Sequence, residues 1–225
     1  MNRKAQSEIM SFLIITVIVI MLVLAAYVWG AGILQDRRES YSAVRMKSKM
    51  FEIRDAVMGA VQDGSNSSRI VQINIDSGKL SLDTSSIPIS CGQARNDNGI
   101  LFEMDTSERI VASSSWILAD PFENETGDLC TKGGPGVSYP GVLFARSTGQ
   151  EGMDRYMTQY LISFRNLKDM VNNQHHFIKI GTSEIGNNSS AIGEGTHNLM
   201  ILNKGSTFDE SALRWTHEIT VIFDP

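Results

Sequence analysis

A long run of apolar residues near the N-terminus is the strongest feature of the hydrophobic pattern. Between Glu8 and Asp36 the chain has 27 consecutive residues without a charged side chain. About 20 such residues cross the hydrocarbon core of a bilayer, whereas the apolar stretch of a secretory signal peptide is shorter. Tyr27 and Trp29 lie near the end of the run, where amphipathic rings favour the membrane interface. The pattern therefore predicts a retained transmembrane helix over residues 6–35.

The spacing changes beyond Asp36, where apolar residues recur every three or four positions, as on one face of a helix. That face carries Ala43, Met46, Met50, Ile53, Val57 and Ala60, and a second ridge beside it carries Val44, Phe51 and Met58. Gly59 is expected to weaken the last turn. Asp63-Gly64 predicts the end of the helix, because glycine readily forms a left-handed C-terminal cap. Residues 36–63 are thus predicted to continue the helix in amphipathic form, with a plain membrane stalk or a parallel coiled coil as the alternatives.

From residue 64 onward, short β-type runs alternate with turn residues. The runs lie at 69–75, 79–82, 99–104, 109–112, 116–119, 142–145, 176–180, 197–202 and 215–223. Asp76-Ser77-Gly78 predicts a hairpin between the first two runs, and residues 153–171 fit a helix as well as a strand. Residues 64–225 are expected to form a mainly antiparallel β head, either a sandwich or a sheet wrapped over the helix, so the predicted fold class is α+β.

Charge is divided unevenly along the chain. The formal net charge is -5, but residues 1–50 hold 7 Lys and Arg against 3 Asp and Glu, a net +4, and the remaining 13 against 22 give -9. Nucleic acid binding calls for clustered Lys and Arg, so the acidic head argues against a nucleic acid partner. The hydrophobic content of 42% includes the apolar run and leaves an ordinary globular composition for the head.

The residues before the apolar run form a short motif. Arg3, Lys4 and Ala5 precede Gln6-Ser7-Glu8, and the apolar helix follows immediately. In this the sequence resembles the class III signal peptides of archaeal type IV pilins and pilin-like proteins. The commonest archaeal form spaces the residues as Gln-x-Ser-x-Glu, whereas this chain contracts them. A simpler interpretation is that Ser7-Glu8 caps the helix beside a basic topology signal.

The resemblance implies a fold and a function. A prepilin peptidase would remove the leader, residues 1–5, and leave Gln6 as the new N-terminus. Glu8 would offset the N-terminal charge of a neighbouring subunit. The pilin-like helix would anchor the subunit in the membrane first. It would then build the core of a homo- or heteropolymeric filament, with its second half between its own head and neighbouring subunits.

Two features of the head suit an exported domain. Cys91 and Cys130 are the only cysteines, and two cysteines in an exported head are more often paired than free, so a disulfide is expected. Four candidate N-glycosylation sites begin at Asn66, Asn124, Asn187 and Asn188. Both features favour an extracellular domain.

The expected orientation places the N-terminus in the cytoplasm and the head outside the cell. Leader processing, the cysteine pair and the sequons agree on it. The opposing observation is a basic cluster after the span, which the positive-inside rule would assign to the cytoplasm. That cluster consists of Arg37, Arg38, Arg45, Lys47 and Lys49.

No pattern of catalytic or metal-binding residues emerges from the sequence. The four histidines lack the spacing of metal ligands, and neither a phosphate-binding loop nor a nucleophile elbow occurs. We therefore expect no enzyme activity, no cofactor and no metal, although an anchored enzyme is a third class that no motif favours.

The expected function is a structural or minor subunit of an archaeal type IV pilus-like surface filament. The alternative is a monomeric, single-span surface binding protein of the adhesin kind. Recognition specificity, for cell adhesion or another surface role, would lie in the long loops at 92–99, 126–140 and 181–195, because loop tips carry variable surface function.

Overall fold

The computed structural model of the chain describes residues 3–83, 99–119, 141–149, 152, 155–164, 167–168, 174–182 and 191–224. Side chains are described from Phe12 onward, except at residues 83, 167 and 168. The chain divides into two compact units, Met1–Glu39 and Ser40–Pro225. Within the described ranges, one long apolar N-terminal helix precedes a mostly antiparallel β region, so the fold is α+β.

Helix α1 spans Arg3–Asp63 without interruption. In its second half, the predicted core-facing ridge is confirmed: Ala43, Met46, Met50, Ile53, Val57 and Ala60 are all buried. The second ridge is not uniform, because Val44 is 61% exposed while Phe51 and Met58 are half-buried. One face of this half therefore belongs to the core, and the exposed end of the second ridge lies outside it.

The helix ends at Asp63, and Gly64 follows with a φ of 91°, as the sequence predicted. Gly59 does not interrupt the helix. The side chain of Arg69 lies against it so closely that a Cβ at Gly59 would collide with the guanidinium group, which bonds Asp63 at 2.7 Å. Gly59 thus makes room for an ion pair at the end of the helix.

The strands form two sheets. The strands are β1 (Ser68–Ile75), β2 (Lys79–Asp83), β3 (Gly99–Thr106), β4 (Ile117–Leu118), β5 (Gly141–Gly149), β6 (Tyr156–Phe164), β7 (Leu167–Lys168), β8 (His175–Thr182), β9 (Ala191–Ile192), β10 (Gly195–Asp209) and β11 (Arg214–Phe223). The five-stranded sheet has the order β1-β10-β11-β8-β7, and the six-stranded sheet has the order β4-β5-β6-β3-β2-β9. All described pairings are antiparallel except that of β11 with β8.

The predicted hairpin at 69–82 is wrong. β1 pairs with β10 in the five-stranded sheet, and β2 pairs with β3 and β9 in the other. Residues 76–78 therefore carry the chain from one sheet to the next. Gly78, with a φ of 103°, lies so close to the Glu103 carbonyl oxygen that a Cβ would overlap it. The turn residues indicated a change of direction but not the pairing partner.

Two further predictions are settled within the described ranges. Residues 109–112 do not form the expected strand: 109–110 are irregular and 111–112 form a bend. The ambiguous segment 153–171 contains β6 and β7, so the strand interpretation is correct for its described part. The reason is visible in β6, whose residues are buried on both faces of the sheet. A strand of that kind has a near-continuous apolar pattern, which periodicity alone does not distinguish from a buried helix.

One buried cluster joins the second half of α1 to both sheets. Alternate residues of β1, Val71, Ile73 and Ile75, enter it together with residues of β2, β3, β5, β6, β8, β10 and β11. A smaller cluster lies on the other face of the six-stranded sheet, here called its outer face, and consists of Leu101, Trp116, Val142, Phe144 and Leu161. The six-stranded sheet is therefore buried on both faces around its centre.

Candidate functional site

The first half of α1 presents a continuous apolar surface. Phe12 is 74% and Trp29 76% exposed, and the large apolar side chains between them are exposed as well. An 18-residue window in this region has a mean hydropathy of 2.9, and none of it is buried within the chain. Among the described residues, this is one helix long and apolar enough to cross a membrane. Each buried Å² of apolar surface contributes about 25 cal/mol, so such a surface favours cover by lipid or by other helices.

A polar side chain within this segment has a local hydrogen-bond partner. The Thr16 hydroxyl donates to the Phe12 carbonyl oxygen at 2.8 Å, one turn earlier. That hydrogen bond compensates a hydroxyl group inside a hydrocarbon layer. Charged side chains return at Asp36, and Gln35 donates to Glu39 at 3.4 Å just beyond the apolar run. The segment thus has the polarity profile of a membrane span with a polar boundary at residue 36.

The residues of the leader motif lie at the start of the same helix. α1 begins at Arg3, so Lys4, Ala5, Gln6 and Glu8 are in its first two turns. Only the backbone is described there. Whether these residues direct processing by a peptidase, and whether Glu8 acts in assembly, remain predictions.

Most of the residues expected to mark an exported head lie outside the described residues: Cys91, Cys130, Asn124, Asn187 and Asn188. The loop at 126–140 and most of the loops at 92–99 and 181–195 lie outside them too. Asn66 is described. It is exposed in the turn between α1 and β1, has a φ of 67°, and its backbone N–H donates to the Asn203 carbonyl oxygen at 2.8 Å. Asparagine tolerates this left-handed conformation better than most residues, and the exposed side chain is accessible.

His176, His197 and His217 lie in strands, as the sequence predicted, and His175 begins β8 as well. Two of these histidines form a pair. His176 Nδ1 lies 3.4 Å from His217 Nε2 with the rings stacked, and the Ser206 hydroxyl lies 2.8 Å from His217 Nδ1. Burial, and then the charge of nearby His176, lowers the pKa of His217. Within the described ranges, no group of three or more His, Cys, Asp or Glu side chains is placed to hold a metal ion.

The pKa of His197 is shifted in the opposite direction from that of His217. Its Nδ1 lies 2.6 Å from an Asp224 carboxylate oxygen, and this hydrogen bond is the main reason why its pKa is raised. The same contact lowers the pKa of Asp224. This pair joins β10 to the residue that follows β11.

Sequence reasoning missed a polar cavity on the outer face of the six-stranded sheet. Lys79, Glu103, Trp116, Arg146 and Gln159 contribute to its lining. The sequence does hold one indication of this cavity: charged and amide side chains lie within otherwise apolar runs, as Glu103 does within residues 99–104. These positions are far apart in sequence, and only the strand register brings them together.

No family model matches this chain, and neither does any curated protein or solved structure.

Proposed function

We propose that this protein is a subunit, structural or minor, of an archaeal type IV pilus-like surface filament, assembled through its N-terminal helix. The observation that carries the proposal is the exposed apolar half of α1, with a mean hydropathy of 2.9 and no part of that window buried within the chain. A helix of this kind is stable in a bilayer before assembly, and the same surface can pack against neighbouring helices afterwards.

The second half of α1 supports the same role. Its core ridge is fully used by the head, as Met50 and Ile53 are buried completely. Tyr41 and Val44 are exposed on the same half of the helix. A helix with one buried face and a partly apolar exposed face fits a subunit that packs against its own head and against neighbours.

The motif before the apolar run supports processing by a prepilin peptidase. Arg3, Lys4 and Ala5 would end the leader, Gln6 would begin the mature chain, and Glu8 would neutralise the N-terminal charge of an adjacent subunit. Within an apolar filament core, an uncompensated charge is strongly unfavourable, so a carboxylate near the start of the helix has a physical purpose.

In this proposal the head lies outside the cell, with the candidate disulfide and glycosylation sites on it. The basic residues after the span would then lie on the outer side, where Arg45 has a partner in Asp76 at 3.4 Å and Lys49 has one in Glu52 at 2.6 Å. A membrane-impermeant thiol reagent, applied to intact cells after mild reduction, should label Cys91 and Cys130. Labelling only after lysis would contradict this orientation.

The filament role is tested by shearing appendages from cells that express the chain, viewing them by electron microscopy and identifying their subunits by mass spectrometry. The wild-type chain should be recovered from the filaments. Glu8→Gln, which removes the charge but keeps the shape, should remain in the membrane and be depleted from the filaments. Glu210→Gln, an equal change of charge at an exposed head position, is the matched control and should be incorporated normally.

Two outcomes would count against the filament role. Filaments that lack the wild-type chain would favour the alternative of a monomeric, membrane-anchored surface protein. Normal incorporation of Glu8→Gln would exclude the neighbour-neutralising role of Glu8.

A further inference from the structure

A row of polar side chains crosses the outer face of the six-stranded sheet. The strand register places Lys79 of β2 opposite Glu103 of β3, Glu103 opposite Gln159 of β6, and Gln159 opposite Arg146 of β5. Directly opposed residues project from the same face of a sheet. Together with Trp116, the row lines a concavity of about 330 Å³.

Gln159 fixes the centre of the row. It is only 5% exposed. Its amide nitrogen donates to a Glu103 carboxylate oxygen, and its amide oxygen accepts a hydrogen bond from Arg146 Nε at 2.5 Å. Because both ends of the amide are occupied, the Glu103 carboxylate and the Arg146 guanidinium are held in defined positions on either side of it.

Trp116 supplies a donor that the described part of the chain leaves unused. Its side chain is 8% exposed, and its indole Nε1 is buried and has no hydrogen-bond acceptor among the described residues. Buried donors without a partner are rare in folded proteins and call for an explanation such as a bound molecule. The Arg146 guanidinium lies 4.3 Å from the centre of the Trp116 ring, and both side chains contribute to the lining of the cavity.

The charges and donors of this cavity define the ligand that would complement it. Lys79 and Arg146 are cationic and Glu103 is anionic, which leaves one positive charge in excess. Within the described ranges, the terminal amino groups of Arg146 and the ammonium group of Lys79 make no ion pair or hydrogen bond, and both can donate to a carboxylate.

The other residues that line the cavity set two further conditions on the ligand. Glu103 and the Ser81 hydroxyl can accept hydrogen bonds from ligand hydroxyl groups, and Leu101 offers apolar surface for a ring face. The volume is at the lower end of the range for small-molecule sites, which runs from about 300 Å³ upward. A small ligand with one carboxylate and several hydroxyl groups meets all of these conditions.

We propose that the outer face of the six-stranded sheet carries a binding site for a sugar acid, in which Arg146 and Lys79 bind the carboxylate, Glu103 accepts a hydrogen bond from a hydroxyl group, and the Trp116 indole donates to a ligand oxygen. This site is independent of filament assembly, because it lies in the β region and uses no residue of α1.

The test uses the full chain in a detergent without a sugar headgroup, with ¹⁵N-labelled tryptophan. The chain has three tryptophans, and the indole signal that Trp116→Phe removes belongs to Trp116. Glucuronate should shift that signal in a saturable manner, with glucose and acetate binding at least about tenfold more weakly, since each lacks one half of the recognised chemistry.

Two variants separate binding from folding. Trp116→Phe keeps an aromatic ring but removes the orphaned N–H, so it should fold normally and bind glucuronate about tenfold more weakly by calorimetry. Arg146→Met should abolish binding. Lys179→Met, which removes a cation that lies beside Glu218, is the control and should bind as the wild type does.

Three results would overturn the site. They are the absence of a saturable shift with glucuronate, binding of glucose or acetate as tight as that of glucuronate, and unchanged glucuronate affinity in a correctly folded Trp116→Phe variant.

Discussion

The side-chain amide nitrogen of Asn203 donates a 3.0 Å hydrogen bond to the main-chain carbonyl oxygen of Ala60, in the last turns of α1. Asn203 is completely buried in β10, at the point where the pairing with β11 shifts register between Asn203 and Gly205. Its amide oxygen accepts a hydrogen bond from the Gly205 backbone N–H at 2.9 Å. One side chain therefore satisfies a carbonyl at the helix end, where intrahelical partners are missing, and also holds the bulge.

Replacing Asn203 by alanine should lower the free energy of unfolding by about 1–3 kcal/mol, because the partly buried backbone N–H of Gly205 loses its acceptor and the Ala60 carbonyl keeps only the Ser67 hydroxyl. Denaturant unfolding of the full chain in micelles measures the change. Gln72→Ala, at an exposed position of β1, should change stability by less than about 0.5 kcal/mol. Equal stability of Asn203→Ala and Gln72→Ala would contradict the role of Asn203.

The two ridges of the amphipathic half of α1 should respond differently to truncation. Met50 is 0% exposed and Val44 is 61% exposed. Met50→Ala should lower the free energy of unfolding by about 2–5 kcal/mol, because it removes buried methylenes and leaves a cavity. Val44→Ala should lower the free energy of unfolding of the isolated subunit by less than about 0.5 kcal/mol. Comparable losses for the two variants in the same denaturation assay would show that the helix packs differently from the arrangement described.

His217 should make the protein less stable in mild acid. Its folded pKa is lowered by burial and by His176, so protonation favours the unfolded state, whose histidine pKa is about 6.5. The stability that neutral His217 contributes is present above that value and is lost as the pH falls through it. His217→Gln should therefore lose less stability than the wild type between about pH 8 and pH 5, measured by thermal unfolding. An equal or greater loss in the variant would refute this assignment.

The stability that His197 contributes should depend on pH in the opposite direction. Its hydrogen bond with Asp224 raises its folded pKa, so its contribution to stability is complete below the unfolded value of about 6.5 and disappears as the pH rises through the folded pKa. The stability difference between the wild type and His197→Gln should thus be larger near pH 5.5 than near pH 8.5, values about one to two units on either side of the unfolded pKa. A difference that does not change with pH would rule out the charged pair.

Local patterns predicted the helix well and the sheets only in part. The spacing from Ala43 to Ala60 identified the core face, and Gly64 identified the helix end, because both depend on residues that are close in sequence. The pairing partner of β1 is β10, which is more than 100 residues further along the chain. Nothing in the turn at 76–78 encodes that choice, so the predicted hairpin was wrong.

The two candidate sites also differ in how far the sequence predicts them. The apolar helix and its leader motif are contiguous, and so the sequence was sufficient to propose them. The cavity beside Trp116 requires Lys79, Glu103, Gln159 and Arg146 to be in register on four strands. A shift of one residue in any pair would turn one of these side chains to the opposite face, so no local pattern could have predicted the site.

The most direct test of the central proposal is the N-terminus of the mature protein. The full chain should be expressed in a host with a prepilin peptidase, purified from the membrane and analysed by intact and N-terminal peptide mass spectrometry. The filament-subunit account predicts a chain that begins at Gln6, having lost residues 1–5. A mature chain that begins at Met1 or Asn2 would contradict it.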